Sequence, residues 1–384
     1  MRIAMFTDSY KPQINGVVTS IEIFTEELRK KGHKVFIFAP QVPDYNKKEK
    51  DVYRVKSLVF SGYKEYRIAL PFKLLATFPI ERLKPDVMHI HSPFSMGVTG
   101  LALAKYYKIP TVGSFHTMIP EYMHYFVKYE KLQKSKFIKK IFKKSAWSYL
   151  RWFYNKCDHV VAPTDKIEQT LKRHGIKNSI TVIPTGIKIN PVKASKSRLR
   201  EKYGIGRRER IILHVGRITK EKNIGFIINS LKGLMKKYDN TRILITSDGP
   251  YKERLAENVK NLGLKTRVTF TGYLPSQVLQ EFYKLSDVFV MASRTETQGI
   301  VLLEAAMIGL PIVALDTPVI GSIIRDNKIG IASKGKNFSE NVEKILYGKI
   351  KIDKIRNLAC NYDIGKCTEN FVMLYDKVRS SMVT

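Results

Sequence analysis

The 384-residue chain has three cysteines, Cys157, Cys360 and Cys367, an odd set with no paired metal-ligand spacing. Neither a disulfide framework nor a structural zinc site is expected, and a reducing cytoplasmic compartment with buried thiols is the simplest reading. Long apolar runs are also missing: no stretch approaches the ~20 residues that a membrane-spanning helix needs. The first residues, Met1-Arg2-Ile3-Ala4-Met5-Phe6-Thr7-Asp8, run directly into a core-strand pattern without a signal-peptide hydrophobic region or cleavage site. Acids are scarce, with 34 Asp and Glu against 67 Lys and Arg, a formal net charge of +33. A field of that sign attracts polyanions, and nucleic acid and anionic membrane are the two candidates. An aromatic content of 11% with 26% charged residues excludes a disordered chain.

The charge is concentrated. Between Lys128 and Lys156 stand ten Lys or Arg and one acid, Glu130, interleaved with Phe137, Phe142, Trp147, Tyr149, Trp152, Phe153 and Tyr154. On a helical wheel, Ile138, Ile141, Phe142, Ala146, Tyr149, Trp152 and Phe153 share one sector, and Lys136, Lys139, Lys140, Lys143, Lys144 and Arg151 lie opposite, with Trp147 and Leu150 on the basic side. Such a helix can lie in a membrane interface, each nearby cation adding ~1 kcal/mol on an anionic leaflet. It can equally be a surface helix whose apolar stripe packs on its own domain. Apolar residues on the basic face favour the membrane reading, which would use Lys139, Lys140, Lys143, Lys144, Trp147, Arg151 and Trp152. The alternative from another class, a basic nucleic-acid-binding protein, has no recognised motif to accompany the charge.

A chain of this length favours two domains, each with its own core. Short apolar strands alternate with helical segments, which predicts an α/β fold with parallel sheets. In the first half Ile3 to Thr7, Lys34 to Ala39, Val87 to His91, Thr111 to Phe115 and His159 to Ala162 read as strands, and Val17 to Lys31 as a helix stopped by Gly32. The second half restarts with Ile211 to Val215, Arg242 to Ser247, Val268 to Thr271, Val288 to Met291 and Pro311 to Leu315. The polar, proline-broken stretch from Ile187 to Ser197 reads as the linker. Ligands of open α/β folds bind at the carboxyl ends of the strands, so a cleft between two such sheets is the expected site.

The residues that follow the strands suit an anionic ligand. Thr295-Glu296-Thr297-Gln298-Gly299-Ile300 leads into Val301-Leu302-Leu303-Glu304, two acids eight apart across a predicted helix start near Gln298 or Gly299. The free N–H groups and dipole of that helix would face phosphates or oxygens above Glu296, and Glu304 would accept from sugar hydroxyls. An ordinary helix start with a second, solvent-facing acid is the plain alternative. Arg217 and Lys222 follow another strand and suit a diphosphate through fork and point-charge contacts. Asn15-Gly16-Val17-Val18 opens the first helix, where glycine permits close backbone approach. His116 follows the strand Thr111 to Phe115. Asp248-Gly249-Pro250 marks a turn, and Tyr273 is either a packing aromatic or part of a base pocket.

Taken in this order along nearly the whole chain, these motifs resemble the GT-B glycosyltransferases of family four, with their E-x7-E signature. Asn15 to Val18 resembles that family's glycine loop, Gly216-Arg217 through Lys222 its basic diphosphate motif, and Glu296 to Glu304 its paired glutamates. More narrowly, His89-Ile90-His91-Ser92-Pro93-Phe94-Ser95-Met96-Gly97, Phe115-His116-Thr117 through Tyr122-Met123-His124-Tyr125 and Thr295 to Gly299 resemble the bacterial diacylglycerol glucosyltransferases. The resemblance implies two Rossmann-like domains facing a central cleft, at 1–188 and 189–362, and a C-terminal helix, 363–384 with Thr368 to Val378 at its heart, crossing back to the N-domain. It implies retaining transfer of glucose from UDP-glucose to diacylglycerol. Arg217 and Lys222 would stabilise the leaving diphosphate, and His116 and Glu296 would bind the transferred sugar. Gly16, Val17, Tyr273, Thr297, Gln298, Gly299, Ile300 and Glu304 would complete the donor site, with Tyr122 and His124 toward the acceptor. No Asp-x-Asp motif appears, so no metal or other cofactor is expected. The implied location is peripheral, on the cytoplasmic face of the membrane. Another family-four donor or acceptor, such as a glucolipid, a phosphatidylinositol-type lipid or a soluble sugar, stays open, as does glucose against galactose.

Overall fold

The computed structural model describes residues 1–384 apart from 44, 46, 61–65, 71–77, 128, 349–357 and 382–384. Lys128, at the head of the basic segment, therefore lies outside the described residues. The chain forms two compact units, Met1–Gly186 with Asp363–Thr384, and Ile187–Tyr362.

Among the described residues the first unit has nine strands: β1 (Arg2–Phe6), β2 (Lys34–Pro40), β3 (Val52–Val55), β4 (Ser57–Val59), β5 (Arg67–Ala69), β6 (Val87–Ile90), β7 (Thr111–Ser114), β8 (His159–Ala162) and β9 (Ile180–Val182). Seven make one sheet in the order β3-β2-β1-β6-β7-β8-β9, every pair parallel, while β4 and β5 form a separate antiparallel ribbon. Residues Ile3 to Phe6 are fully buried, as befits a central parallel strand covered on both faces. Helix Gly16–Lys30 follows β1, its first turn capped by Asn15, and its end is closed by Gly32 in the left-handed region. That helix packs on the C-terminal helix Ile364–Ser380, with the Phe24 and Phe371 rings edge to face at 4.5 Å. Asp363 caps this last helix, whose Cys367, Phe371, Leu374, Tyr375 and Val378 enter the core of the first unit.

The second unit holds β10 (Arg210–Val215), β11 (Thr241–Thr246), β12 (Val268–Gly272), β13 (Val288–Met291), β14 (Ile312–Leu315) and β15 (Gly330–Ser333) in a wholly parallel sheet of order β12-β11-β10-β13-β14-β15. Its core gathers Ile224, Ile227, Ile228 and Leu231 of helix Ile224–Lys237 against Ile243, Ile245, Val288 and Val290 of the sheet.

Two expectations need correction. The edge strands β3, β9 and β15 and the β4–β5 ribbon were not foreseen, because each is three or four residues long and none carries a fully buried apolar run. The linker is shorter than expected: helix Lys196–Lys202 begins inside it, capped by Ser195. Its earlier part is tied down within the second unit, Ile187 donating to the Tyr362 carbonyl and Asn190 to Gln280 Oε1. Cys157 and Cys367 are free and buried, and burial pushes both thiols up to about 12; the Cys360 side chain lies outside the described ones. Among the described residues no helix is long and apolar enough to cross a membrane.

Candidate active site

In the second unit the candidate residues collect at the carboxyl ends of β10 and β13, neighbours in the sheet. The loop after β10 passes through Gly216 (φ +147°) and Arg217 into a short 3-10 turn, Lys220–Lys222. It is pinned to the loop after β11 by Ile218 donating to the Asp248 carbonyl at 2.9 Å. A Cβ on Gly249 would stand 2.5 Å from the Ile218 carbonyl oxygen, so the close passage of these two loops requires that glycine.

This path delivers Lys222 Nζ to Glu296 Oε1 at 2.6 Å. Burial would raise the Glu296 carboxyl, but the Lys222 charge and hydrogen bonds from Lys222 and Ser293 outweigh it and hold its pKa below the ordinary value. Arg217 lies beside Tyr273 and Glu221, which favour its charged form while burial lowers its pKa. Tyr273 itself is half exposed. The helix after Glu296 starts later than predicted: Ile300 is its first residue, running to Met307, and Gly299 precedes it in the left-handed conformation at φ +78°. Gln298 is buried, and Thr297 and Ile300 partly so. Glu304 does not face solvent. Tyr283 donates to its Oε2 at 2.9 Å, and burial raises its pKa to about 7 despite that bond. The two acids of the pair are thus opposite in character, one ionised by a lysine and one close to neutral.

In the first unit His116 follows β7 and His91 follows the adjacent β6. His91 Nδ1 stands 3.0 Å from His116 Nε2. His89, two residues before His91 and on the same side of the strand, packs against it with ring centroids 3.9 Å apart and the rings tilted by 35°. Its Nδ1 meets the Tyr375 hydroxyl and its Nε2 the Ser114 hydroxyl, both at 2.7 Å. Burial lowers all three rings, His89 to about 3, His116 to about 4, and His91 well below the ordinary histidine range. Gly16 is exposed at the start of its helix, and the Val17 and Val18 N–H groups donate to Asn15 Oδ1 at 3.0 and 3.1 Å. Tyr122 and His124 lie in an aromatic cluster with Tyr125, their rings 6.1 Å apart.

The basic segment is helical over Lys136–Tyr154, but its faces differ from the wheel prediction. Leu150, Phe153 and Tyr154 are buried in the unit. Trp147, expected at a membrane, stacks on His174 at 3.7 Å, and Tyr149 donates to the Pro93 carbonyl. The apolar residues left facing outward are Phe137 (71% exposed), Ile141 and Trp152, bordered by Lys140, Lys144 and Arg151. Lys139 and Lys143 are exposed on the other flank, Lys143 paired with Glu121. The wheel placed most apolar residues on one side, with Trp147 and Leu150 on the other; packing claims one arc of the helix and leaves another outside.

Sequence reasoning missed His91 as the partner of His116 and Tyr283 as the partner of Glu304. The period-two His-x-His after β6 was the available signal for the first; nothing in sequence spacing links Tyr283 to Glu304.

Two parallel α/β units with polar candidates at the carboxyl ends of their strands define a GT-B glycosyltransferase, and comparison with known proteins gives the same class. Residues 14–190 match the family described as Glycosyltransferase Family 4 and residues 195–359 that described as Glycosyl transferases group 1. The chain belongs to glycosyltransferase family 4. It is 32% identical over 345 residues to the alpha-monoglucosyldiacylglycerol synthase of Streptococcus pneumoniae, covering 88% of this chain and 76% of that protein. It is 34% identical over 341 residues to the synthase of the same name from Acholeplasma laidlawii, covering 86% and 84%. Among solved structures, Anabaena HepE in complex with UDP-glucose superimposes with a TM-score of 0.76 at 15% identity, over 98% of this chain and all of that one.

Proposed function

We propose that this protein is a retaining glucosyltransferase that moves glucose from UDP-glucose to the free hydroxyl of diacylglycerol at an anionic membrane surface, on the cytoplasmic face. The observation that carries the reading is the Lys222–Glu296 ion pair beside Arg217, in the position a nucleotide sugar would occupy at the strand ends. The two synthases similar over most of the chain support the acceptor, and HepE, solved with UDP-glucose, supports the donor.

In this reading Arg217 and Lys222 stabilise charge growing on the departing diphosphate, which favours the transition state over the bound substrate. No metal or cofactor is needed for that task. Glu296, kept ionised by Lys222, accepts from hydroxyls of the transferred sugar. Thr297, Gln298, Gly299 and Ile300 line the helix start, where backbone N–H groups face the anionic donor. Glu304 holds the ribose and Tyr273 borders the base. On the first unit, His116 hydrogen-bonds the sugar, Gly16 offers a backbone contact, and Tyr122 and His124 lie toward the lipid hydroxyl. No residue acts as a covalent nucleophile; the acceptor attacks on the face from which the diphosphate leaves. Phe137, Ile141 and Trp152, bordered by Lys140, Lys144 and Arg151, dock the enzyme peripherally on the bilayer.

The test is UDP release from a panel of sugar nucleotides, with and without diacylglycerol in anionic vesicles, followed by identification of the glycolipid. Lipid-dependent release from UDP-glucose, with a glucosyl diacylglycerol product, is expected. Turnover only with a soluble acceptor would overturn the lipid assignment, and turnover only with another sugar nucleotide would overturn the donor.

A further inference from the structure

We propose that His91 is a positioning residue for His116: its Nδ1–H donates to His116 Nε2 and so holds His116 as the tautomer that carries its proton on Nδ1. The 3.0 Å contact joins two ring nitrogens and contains one proton, so there are two arrangements. If His116 Nε2–H donated, His91 would accept at Nδ1 and carry its own proton on Nε2. That Nε2 is buried and has no hydrogen-bond partner among the described residues. A buried N–H without an acceptor is costly and rare, whereas a bare ring nitrogen in the same place is an unused acceptor, the lesser penalty. The donor at the contact is therefore His91.

The surroundings hold this direction. The His91 ring cannot easily turn over, because it packs against His89 with ring centroids 3.9 Å apart, and His89 is itself fixed at both nitrogens by the hydroxyls of Tyr375 and Ser114. Burial keeps both members of the pair uncharged near neutral pH, so neither ring supplies a second proton that would undo the tautomer. The consequence, which rests on the reading of His116 as a sugar-binding group, is that His116 Nε2 is already accepting, and a sugar oxygen that meets the other ring nitrogen meets an N–H. His116 acts as a donor of fixed direction and not as a base toward that oxygen.

The experiment is long-range proton–nitrogen correlation NMR on the full chain labelled with ¹⁵N-histidine, the His116 signals being assigned by their loss in His116→Ala. Nδ1 of His116 protonated and Nε2 bare is the expected result; the reverse in the wild-type protein overturns the proposal without any variant having to fold. His91→Ala should release His116 into a mixture of tautomers and lower kcat by about tenfold with little change in donor KM, as expected for loss of one oriented hydrogen bond. His91→Asn, whose amide nitrogen stands where Nδ1 stood, should restore most of kcat. Equal losses in the two variants with the His116 tautomer unchanged would overturn the proposal. If the tautomer is as expected but His116→Ala turns over normally, the sugar-binding reading of His116 fails while the positioning by His91 stands.

Discussion

Where the first unit gathers His89, His91 and His116, burial lowers every ring; where the second gathers Lys222 and Glu296, similar burial is overcome by a direct ion pair. Desolvation acts on both sets. Two opposite charges at 2.6 Å interact by several kcal/mol even at an effective dielectric of about 20, enough to reverse it, while hydroxyl and imidazole neighbours cannot. The difference teaches which half suits charge and which suits orientation. A leaving diphosphate needs cations already in place, and a neutral sugar needs hydrogen bonds of fixed direction.

The comparison breaks most severely at the ion pair. Lys222→Ala or Glu296→Ala should lower kcat/KM by about 10³-fold in the UDP-release assay, with the fold retained by circular dichroism. Near-normal turnover in either would remove the second unit from the chemistry. Next comes the outward face of helix Lys136–Tyr154. Replacing Phe137, Ile141 and Trp152 together by serine should weaken binding to anionic vesicles by about 10²-fold at all salt concentrations, since buried apolar area is not screened. Replacing Lys139, Lys140, Lys143 and Lys144 by glutamate should matter most at low salt and fade as the Debye length shortens. Vesicle flotation across a salt series separates the two.

Glu304 sharpens the comparison from within the second unit, because it is an acid kept near neutral. Burial raises it to about 7 from an ordinary value of 4.5, so folding takes up a proton. Its contribution to stability is complete below pH 4.5 and is lost as pH rises through 7. Glu304→Gln should therefore be more stable than the wild type at pH 8, by up to about 3 kcal/mol, the gap closing toward pH 5 in denaturant titrations. If Glu304 holds the ribose as proposed, the same variant should raise donor KM several-fold above pH 7, where the wild-type carboxylate is the stronger acceptor, and little below it. The smallest effect is expected at Gly299. An alanine there would adopt φ +78° with its Cβ 2.6 Å from Ile320 Cδ1, costing about 1–2 kcal/mol and seen as a lowered Tm.

Much of this was legible in the sequence because central parallel strands announce themselves: β8 and β13 were read with their observed bounds and β1, β2, β10 and β11 within a residue. Of the edge strands β12 was read, but β3, β9 and β15 were not legible, since a strand paired on one side needs no continuous apolar run. The E-x7-E pair was visible, but its division into one ionised and one near-neutral acid was not, for Lys222 and Tyr283 reach it across 74 and 21 residues. The wheel of the basic helix misplaced Leu150 because periodicity reports that a helix has two faces and is silent on which neighbour covers each.

The chain leaves the first unit at Gly186 and returns to it only at Asp363, so the helix Ile364–Ser380 supplies core residues that are synthesised only after the whole second unit. A ribosome therefore releases the second unit with its whole sequence available while the first still lacks Phe371, Leu374 and Tyr375. During that interval the apolar flank of helix Gly16–Lys30, including Phe24, is left uncovered, and His89 waits for the Tyr375 hydroxyl that fixes it. In nascent chains the second unit can mature first, although it begins later, and the histidine array is completed only after the whole second unit has been synthesised.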